Sequence, residues 1–195
     1  MSHRGRFGKY GDMKRLERLK KSGTRDLPAR YGQKGRGPAF LGTGKISIRR
    51  ANLGDIGFIG QLSGRAFGVY GPYRNLVPGW FESNSTITLI AGEKGKPVGF
   101  AMMGRLLDES ERENRCELLA IAVEPNVRRR GIGRMLLRKM EKEAGRLNEE
   151  ILFLHTATDN IPAQELFKKI GFTALSVKKH FYPSGQDAVK MMKVI

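Results

Sequence analysis

The chain has little that could crosslink it or hold it in a membrane. It contains one cysteine, Cys116, among 195 residues, so no internal disulfide can form and a reducing compartment is expected. No apolar run approaches the roughly 20 residues of a membrane-spanning helix, and the N-terminus lacks the apolar core of a signal peptide. These absences argue against a secreted disulfide scaffold and a transmembrane protein, and they predict a soluble protein of the cytoplasm.

Acidic residues are scarce, and the resulting positive charge is unevenly distributed. Asp and Glu number 19 against 36 Lys and Arg, which gives a formal net charge of +17. Residues 1–44 hold twelve basic and three acidic side chains, a net charge of +9, with nine of the 25 glycines. Such a segment buries little apolar surface, so we expect a basic extension, largely disordered or docked, before a domain at 45–195. Its charge suits contact with RNA or a ribosome, and equally suits a solubilising extension.

Hydrophobic periodicity divides residues 45–195 into strands and helices. Strands are predicted at 45–50, 85–91, 98–107, 116–123, 150–156, 173–182 and 188–194, and helices at 52–67, 132–147 and 160–170. Glycines and prolines interrupt the pattern at 71–81, which is predicted to be irregular. Because the strands at 116–123 and 150–156 are nearly continuous apolar runs, we expect them to pair in parallel through a right-handed crossover helix.

A basic, glycine-rich turn separates the strand at 116–123 from the helix that begins at Ile132. Residues 128–133 read Arg-Arg-Arg-Gly-Ile-Gly. Backbone N–H groups at a helix N-terminus and forked arginine donors both favour a phosphate ligand. Arg134 and Met135 stand where a Walker loop needs Lys and Ser or Thr, and Leu136 stands where a dinucleotide fingerprint needs its third glycine. The turn therefore predicts another kind of phosphate-binding loop; the alternative is a structural turn with solvated arginines.

The pattern R-x-x-G-x-G and its flanks, residues 116–173, resemble the acetyl-CoA-binding core of the GNAT superfamily of N-acetyltransferases. A second signature of that family, N-x-x-A-x-x-L-Y-x-x-x-G-F, matches at Asn160, Ala163, Leu166, Gly171 and Phe172. The resemblance implies an α/β (α+β) fold, with a mixed six- or seven-stranded sheet, helices on both faces and a central β-α-β acetyl-CoA site. It implies acetyl-CoA as cosubstrate, no metal, and cofactor contacts from Ile121, Val123, Arg128, Arg129, Arg130, Gly131, Ile132, Gly133, Arg134, Asn160 and Phe167.

Phe167 departs from that second signature. The family has a tyrosine at this place, which in many members protonates the departing thiolate of coenzyme A, whereas a phenyl ring has no proton to donate. Another group or water must then supply the proton, or the thiolate leaves unaided. Unaided departure is tolerable because a thiol has a pKa of about 8.5.

Two residues are candidates for the base that deprotonates the acceptor amine. The resemblance implies Glu117 on the strand before the turn and His155 on the neighbouring strand. The alternatives are a strand-end ion pair for Glu117 and, for His155, a core histidine bonded to a backbone carbonyl. Strand alternation is expected to aim Glu117, Leu119, Ile121 and Val123 at one face.

The end of the strand at Val123 is expected to splay from its neighbour and admit the pantetheine arm. The N–H of Val123 would then bind the thioester oxygen as negative charge develops. Cys116 lies about seven residues before the turn, too far along the strand to meet the thioester. We therefore expect direct transfer in a ternary complex without an acyl-enzyme.

The acceptor side carries a narrower resemblance. Residues 181–188 are similar to a segment of the ribosomal-protein alanine and protein N-terminal acetyltransferases, which hold a peptide N-terminus between this hairpin and a helix–helix loop. Here that loop is Phe67, Gly68, Val69 and Tyr70, where Gly68 replaces the proline of some relatives. Tyr182 would orient the acceptor or supply the proton missing at Phe167; the alternative is an ordinary aromatic strand residue.

Together these features predict an acetyl-CoA-dependent transferase acting on the α-amine of a protein N-terminus. One alternative is acetylation of a small amine or a lysine side chain. Another is a non-catalytic RNA- or ribosome-binding protein that retains the fold, an interpretation that the missing tyrosine hydroxyl at Phe167 favours.

Overall fold

The computed structural model describes residues 45–104 and 114–195. Its elements, in chain order, are β1 (Ser47–Arg50), α1 (Ile56–Phe67), α2 (Tyr73–Glu82), β2 (Thr86–Glu93), β3 (Lys96–Gly104), β4 (Arg115–Val123), α3 (Ile132–Arg146), β5 (Ile151–Ala157), α4 (Ile161–Ile170), β6 (Thr173–Lys178) and β7 (Ala188–Val194). The extension expected at 1–44 and the last residues of the strand predicted at 98–107 lie outside the described residues.

The strands of the described residues form one mixed sheet of seven. Its order is β1-β2-β3-β4-β5-β7-β6. The pair β4–β5 is parallel, as predicted, and every other pair is antiparallel. The helix α3 forms the crossover between β4 and β5 and buries Ile132, Leu136 and Met140 against the sheet. The predicted β-α-β unit is confirmed.

Helices cover both faces of the sheet, so each face has its own apolar core. One core joins the sheet to α3 and α4 through residues such as Leu118, Leu154 and Phe167. The other joins it to α1 and α2 through residues such as Ile59, Trp80 and Ala120. In the described part of the chain, no helix is long and apolar enough to cross a membrane.

The helix α2 was not anticipated, because 71–81 was predicted to be irregular. Pro78 lies inside this helix, where a proline costs about 3 kcal/mol. Val77, Trp80 and Phe81 are buried in the core below it, and full burial of each large apolar side chain contributes about 1.5–3 kcal/mol. Packing against the sheet therefore outweighs the local preference.

Candidate active site

A β-bulge in β4 decides which way its side chains point. Met102 lies opposite Ala120, but the next residue, Met103, lies opposite Leu118, so β4 holds one extra residue. Before the bulge, Glu117 faces the α1–α2 layer, because its neighbours Cys116 and Leu118 belong to the core on the α3–α4 side.

The alternation is reversed only after Leu119. Leu119 packs with the core of the α1–α2 layer, whereas Ile121 and Val123 pack with the core beside α3 and α4. The prediction that Glu117, Leu119, Ile121 and Val123 share one face was therefore wrong, because simple alternation cannot include an inserted residue.

The strands β4 and β5 separate near the middle of the sheet. Their pairing runs from Arg115–Ile151 to Leu118–Leu154 and goes no further, while β5 continues to pair with β7 as far as Ala157. The splay expected at Val123 thus begins several residues earlier. A cavity occupies this gap and is lined from the α1–α2 side by Tyr73 and Tyr182 and from the α4 side by Phe167.

Glu117 and His155 meet inside this cavity. Nδ1 of His155 lies 3.0 Å from Oε1 of Glu117, and the side chains are 6% and 1% exposed respectively. An ionised carboxylate only accepts hydrogen bonds, so Nδ1 carries the proton in this contact. The ring of Phe181 stacks on the imidazole, with centroids 4.4 Å apart and an interplanar angle of 17°. The structure thus brings both predicted bases together as one hydrogen-bonded pair.

The basic turn forms the N-terminus of α3. Gly131 is the N-cap and has φ of 80°, a left-handed conformation that glycine adopts without strain. The first four N–H groups of an α-helix have no intrahelical acceptor. In α3 these N–H groups belong to the last residues of the turn and the first residues of the helix. Arg134 is exposed there, and Ile132 is buried beneath them. The turn therefore presents N–H donors and the positive end of a helix dipole.

The three arginines of the turn have different surroundings. Nε of Arg128 donates to the carbonyl oxygen of Val123 at 3.0 Å, which ties the turn to the end of β4. The guanidinium of Arg130 pairs with the Glu93 carboxylate, an interaction that lowers the pKa of Glu93 and raises that of Arg130. Arg129 is exposed, with φ of 65°.

The N–H of Val123 points into the gap between β4 and β5. Glu124 donates its N–H to Val98 of β3 at 2.9 Å, and Val123 lies opposite Gly99. In an antiparallel ladder the bonded sides alternate, so the N–H and C=O of Val123 face away from β3. The bond from Arg128 to the Val123 carbonyl agrees with this direction. The geometry is compatible with the predicted contact to a thioester oxygen.

The helix α4 closes one wall of the cavity. Asn160 caps it, since its side-chain oxygen accepts from the N–H of Ala163 at 3.3 Å, and Gly171 ends it. Both positions agree with the sequence-based interpretation. Phe167 is buried in the cavity wall and packs against Phe172, with ring centroids 5.7 Å apart. The ring of Phe167 therefore occupies the place where a tyrosine would bring a hydroxyl.

The two segments predicted to hold the acceptor contact each other. Ser184 donates its N–H to the carbonyl oxygen of Tyr70 at 3.2 Å, and Nε2 of Gln186 donates to the carbonyl oxygen of Val69 at 2.8 Å. The rings of Tyr70 and Tyr182 lie 4.8 Å apart. We call the two segments, residues 67–71 and 181–187, the acceptor platform.

Gly71 allows the two segments of the platform to approach closely. It has φ of 151°, and a Cβ atom placed on it would lie 2.8 Å from Cγ of Pro183. By contrast, Gly68 has φ of −57°, and a Cβ atom there would meet nothing within 4 Å. Phe67 and Tyr70 line the cavity, whereas Val69 is largely exposed. The backbone φ and the contact with Pro183, neither of which the sequence shows, distinguish these two glycines.

Sequence reasoning missed several residues of the cavity wall. Tyr73 and Trp80 line it from α2, and Phe181 lines it from the platform. Tyr73, Val77 and Trp80 have helical spacing, which could have revealed this wall, but the prolines and glycines of 71–81 hid it. Asp159, which neither family signature includes, accepts a hydrogen bond from the hydroxyl of Tyr70 at 3.2 Å.

Comparisons with known proteins agree with this geometry. Residues 61–172 match the family model described as the acetyltransferase (GNAT) family. The chain is 30% identical to the N-alpha-acetyltransferase of Sulfurisphaera tokodaii over 151 residues, which cover 74% of this chain and 90% of that protein. It is also 30% identical to the ribosomal protein bS18-alanine N-acetyltransferase of Escherichia coli over 102 residues. These cover 51% of this chain and 65%, slightly under two-thirds, of that enzyme.

A solved structure supports the assignment of the fold. The Salmonella typhimurium protein yncA, determined with its cofactor acetyl-CoA, aligns with a TM-score of 0.66 and 20% identity. The alignment covers 76% of this chain and 93% of that one. At this level of identity the likeness establishes the arrangement of strands and helices.

Proposed function

Because the chain belongs to the acetyltransferase (GNAT) family and takes acetyl groups from acetyl-CoA, we propose that its acceptor is the α-amine at the N-terminus of a protein. The sequence-based predictions of family, fold and cosubstrate are confirmed. The observation that carries the proposal is the acceptor platform beside the buried Glu117–His155 pair. The names of the relatives from Sulfurisphaera tokodaii and Escherichia coli support it.

The α3 side of the gap suits acetyl-CoA. The N–H donors at the N-terminus of α3 would bind its diphosphate, with charge from Arg129 and Arg134 at the surface. The opening between β4 and β5 gives a path for the pantetheine arm, along which Ile121 and Val123 lie. The N–H of Val123 would stabilise the negative charge that develops on the thioester oxygen.

The Glu117–His155 pair would take the proton of the acceptor ammonium. The amine nitrogen then attacks the thioester carbon, a C–N bond forms, the C–S bond breaks, and the second proton that the nitrogen gives up passes to water or to the departing thiolate. General bases of this kind contribute about 10²–10⁴-fold to rate. Glu117 would also stabilise the imidazolium that forms when His155 is protonated, since the two groups are 3.0 Å apart.

The departing thiolate needs at most one proton, and Phe167 cannot provide it. Tyr182 lies in the same cavity and is the candidate donor, with water as the alternative. Because a thiol has a pKa of about 8.5, departure as the thiolate is also accessible near neutral pH. The absence of a hydroxyl at Phe167 therefore does not favour a non-catalytic role over transfer.

Peptides that differ in their amines test the proposed acceptor. Acetyl-CoA turnover is measured with a free N-terminus, with a blocked N-terminus and internal lysines, and with small amines. We expect turnover with the free N-terminus and little with the other two. Turnover confined to lysine side chains or small amines would overturn the α-amine assignment.

The basic segment 1–44 is proposed to bring the enzyme to RNA or ribosomes. Its net charge of +9 is the supporting observation, because phosphate neutralisation dominates such binding. A filter-binding titration compares the whole chain with a version that lacks residues 1–44. Equal RNA affinity of the two proteins would contradict this role.

A further inference from the structure

The loop between β5 and α4 places a carboxylate beside the acceptor platform. The hydroxyl of Tyr70 donates to Oδ1 of Asp159 at 3.2 Å, which joins the loop after α1 to the loop after β5. Asp159 is exposed, and the neighbouring Ala157 and Asn160 line the cavity together with Tyr70. The carboxylate therefore lies at the rim of the cavity on the side assigned to the acceptor.

Asp159 adds a negative charge that no lysine or arginine of the described residues balances. Asp187, on the platform, pairs with Lys179 at 2.7 Å and also accepts the N–H of His180 at 2.9 Å. Glu117 is buried and bonded to His155. Asp159 differs from both, since its described partner is the neutral hydroxyl of Tyr70.

The hydroxyl of Tyr70 keeps its proton more firmly than a free tyrosine does, because its pKa is raised. Partial burial raises the pKa of Tyr70, and the charge and hydrogen bond of Asp159 raise it further. One carboxylate oxygen accepts the Tyr70 hydroxyl, and a carboxylate has several more lone pairs for another donor. The Tyr70 contact thus fixes the orientation of Asp159 while leaving capacity for a cation.

The distance along the chain indicates which part of an acceptor would reach Asp159. Asp159 follows His155 by four residues, three of which remain in or near β5. At about 3.3 Å per residue these positions are at most about 13 Å apart. An extended acceptor whose amine meets His155 advances at the same rate, so its second and third residues lie about 3 and 7 Å along, and a long Lys or Arg side chain there extends the remaining way toward the rim.

We propose that Asp159, oriented by Tyr70, selects acceptor proteins with Lys or Arg at the second or third position. This inference rests on the proposed α-amine acetylation. The domain 45–195 carries a net charge of +8 and would otherwise repel such acceptors at long range. A local carboxylate at the rim replaces this repulsion with attraction at the place where the acceptor binds.

Charge-altered variants and peptides test this selection. Peptides with one free N-terminus carry Lys, Ala or Glu at the second and third positions, and kcat and KM are measured for the wild type, Asp159→Asn and Asp159→Lys. Glu165→Gln is the matched control, because Glu165 is exposed on α4 and does not line the cavity. Thermal melting verifies that each variant folds.

The wild type should favour the Lys peptide over the Glu peptide, mainly through KM. Asp159→Asn should reduce that ratio by about three- to tenfold while changing the Ala peptide by less than about twofold. Asp159→Lys should reverse the preference for the Lys peptide over the Glu peptide, and Glu165→Gln should leave that preference unchanged. Added salt should weaken the preference of the wild type.

The possible failures can be told apart. A ratio that Asp159→Asn leaves intact, or an equal loss for all three peptides, would overturn the selection and leave the proposed function standing. If the wild type acetylates none of the free N-termini, the α-amine assignment falls, and the selection falls with it.

Discussion

Replacing Gly71 by alanine should separate the two segments of the acceptor platform. The new Cβ would lie 2.8 Å from Cγ of Pro183, whereas unbonded carbon atoms rest at about 3.5–4.0 Å. Such overpacking costs about 1–3 kcal/mol, and a non-glycine residue in strained backbone costs about 1–3 kcal/mol more. The two platform hydrogen bonds, from Ser184 and Gln186, contribute about 1 kcal/mol each. Releasing them is cheaper than keeping the strain, so we expect the segments to part.

The expected consequences are specific to the acceptor side. Gly71→Ala should lower the free energy of unfolding by about 2 kcal/mol, which for a domain of this size lowers Tm by about 4–8 °C. The KM for the acceptor peptide should rise about tenfold, because an ordered platform is lost. The dissociation constant of acetyl-CoA should stay unchanged, since the turn before α3 lies on the other face of the sheet.

Gly68→Ala provides the matched control, three residues earlier in the same segment. Its backbone is helical, with φ of −57°, and a Cβ there meets nothing within 4 Å. We expect unchanged or slightly increased stability, by at most about 1 kcal/mol, and an unchanged acceptor KM. If the two variants have the same Tm and the same acceptor KM, then the contact between Gly71 and Pro183 does not hold the platform, and the reasoning is wrong.

Four further substitutions test the chemistry and the platform. Glu117→Gln and His155→Ala should each lower kcat near neutral pH by about 10²-fold without weakening acetyl-CoA binding, measured by calorimetry; normal turnover in both variants would remove the pair as the base. Phe167→Tyr should change kcat by less than about threefold, because a thiol with a pKa of about 8.5 leaves without help; a gain of an order of magnitude in stopped-assay turnover would show that protonation limits the rate. The pKa of Asp187 lies below its ordinary 3.8, because Lys179 and a backbone N–H hold the carboxylate. Its contribution to stability should therefore be present above pH 3.8 and be lost as the pH falls through the lower folded-state pKa. The difference in Tm between wild type and Asp187→Asn should disappear as the pH falls from 3.8 through the lowered pKa of Asp187. A difference that persists at lower pH would contradict stabilisation by the ionised Asp187 carboxylate.

Local patterns in the sequence were sufficient for the central β-α-β unit and for the turn. The apolar runs of β4 and β5 indicated parallel pairing, because both faces of each strand are covered. The glycines at Gly131 and Gly171 occupy the left-handed positions that a helix start and a helix end require here. Asn160 was recognisable as a cap from its place before a helical run. Each of these features depends on residues close together in the chain.

Other features depend on contacts between distant residues, which a local pattern does not contain. The helix α2 forms because the sheet buries Val77 and Trp80, although Pro78 opposes it locally. The inserted residue near Leu119 becomes evident only when β4 is aligned with β3.

The sequence by itself determined the family, the cosubstrate and the two candidate bases, because motifs record local backbone needs and side-chain chemistry. Tertiary structure alone decided that Glu117 and His155 form a hydrogen-bonded pair, that Arg130 pairs with Glu93, and that Asp159 accepts from Tyr70. The last contact joins residues 89 positions apart. Such partners are chosen by strand register and loop packing, and these are properties of the folded chain as a whole.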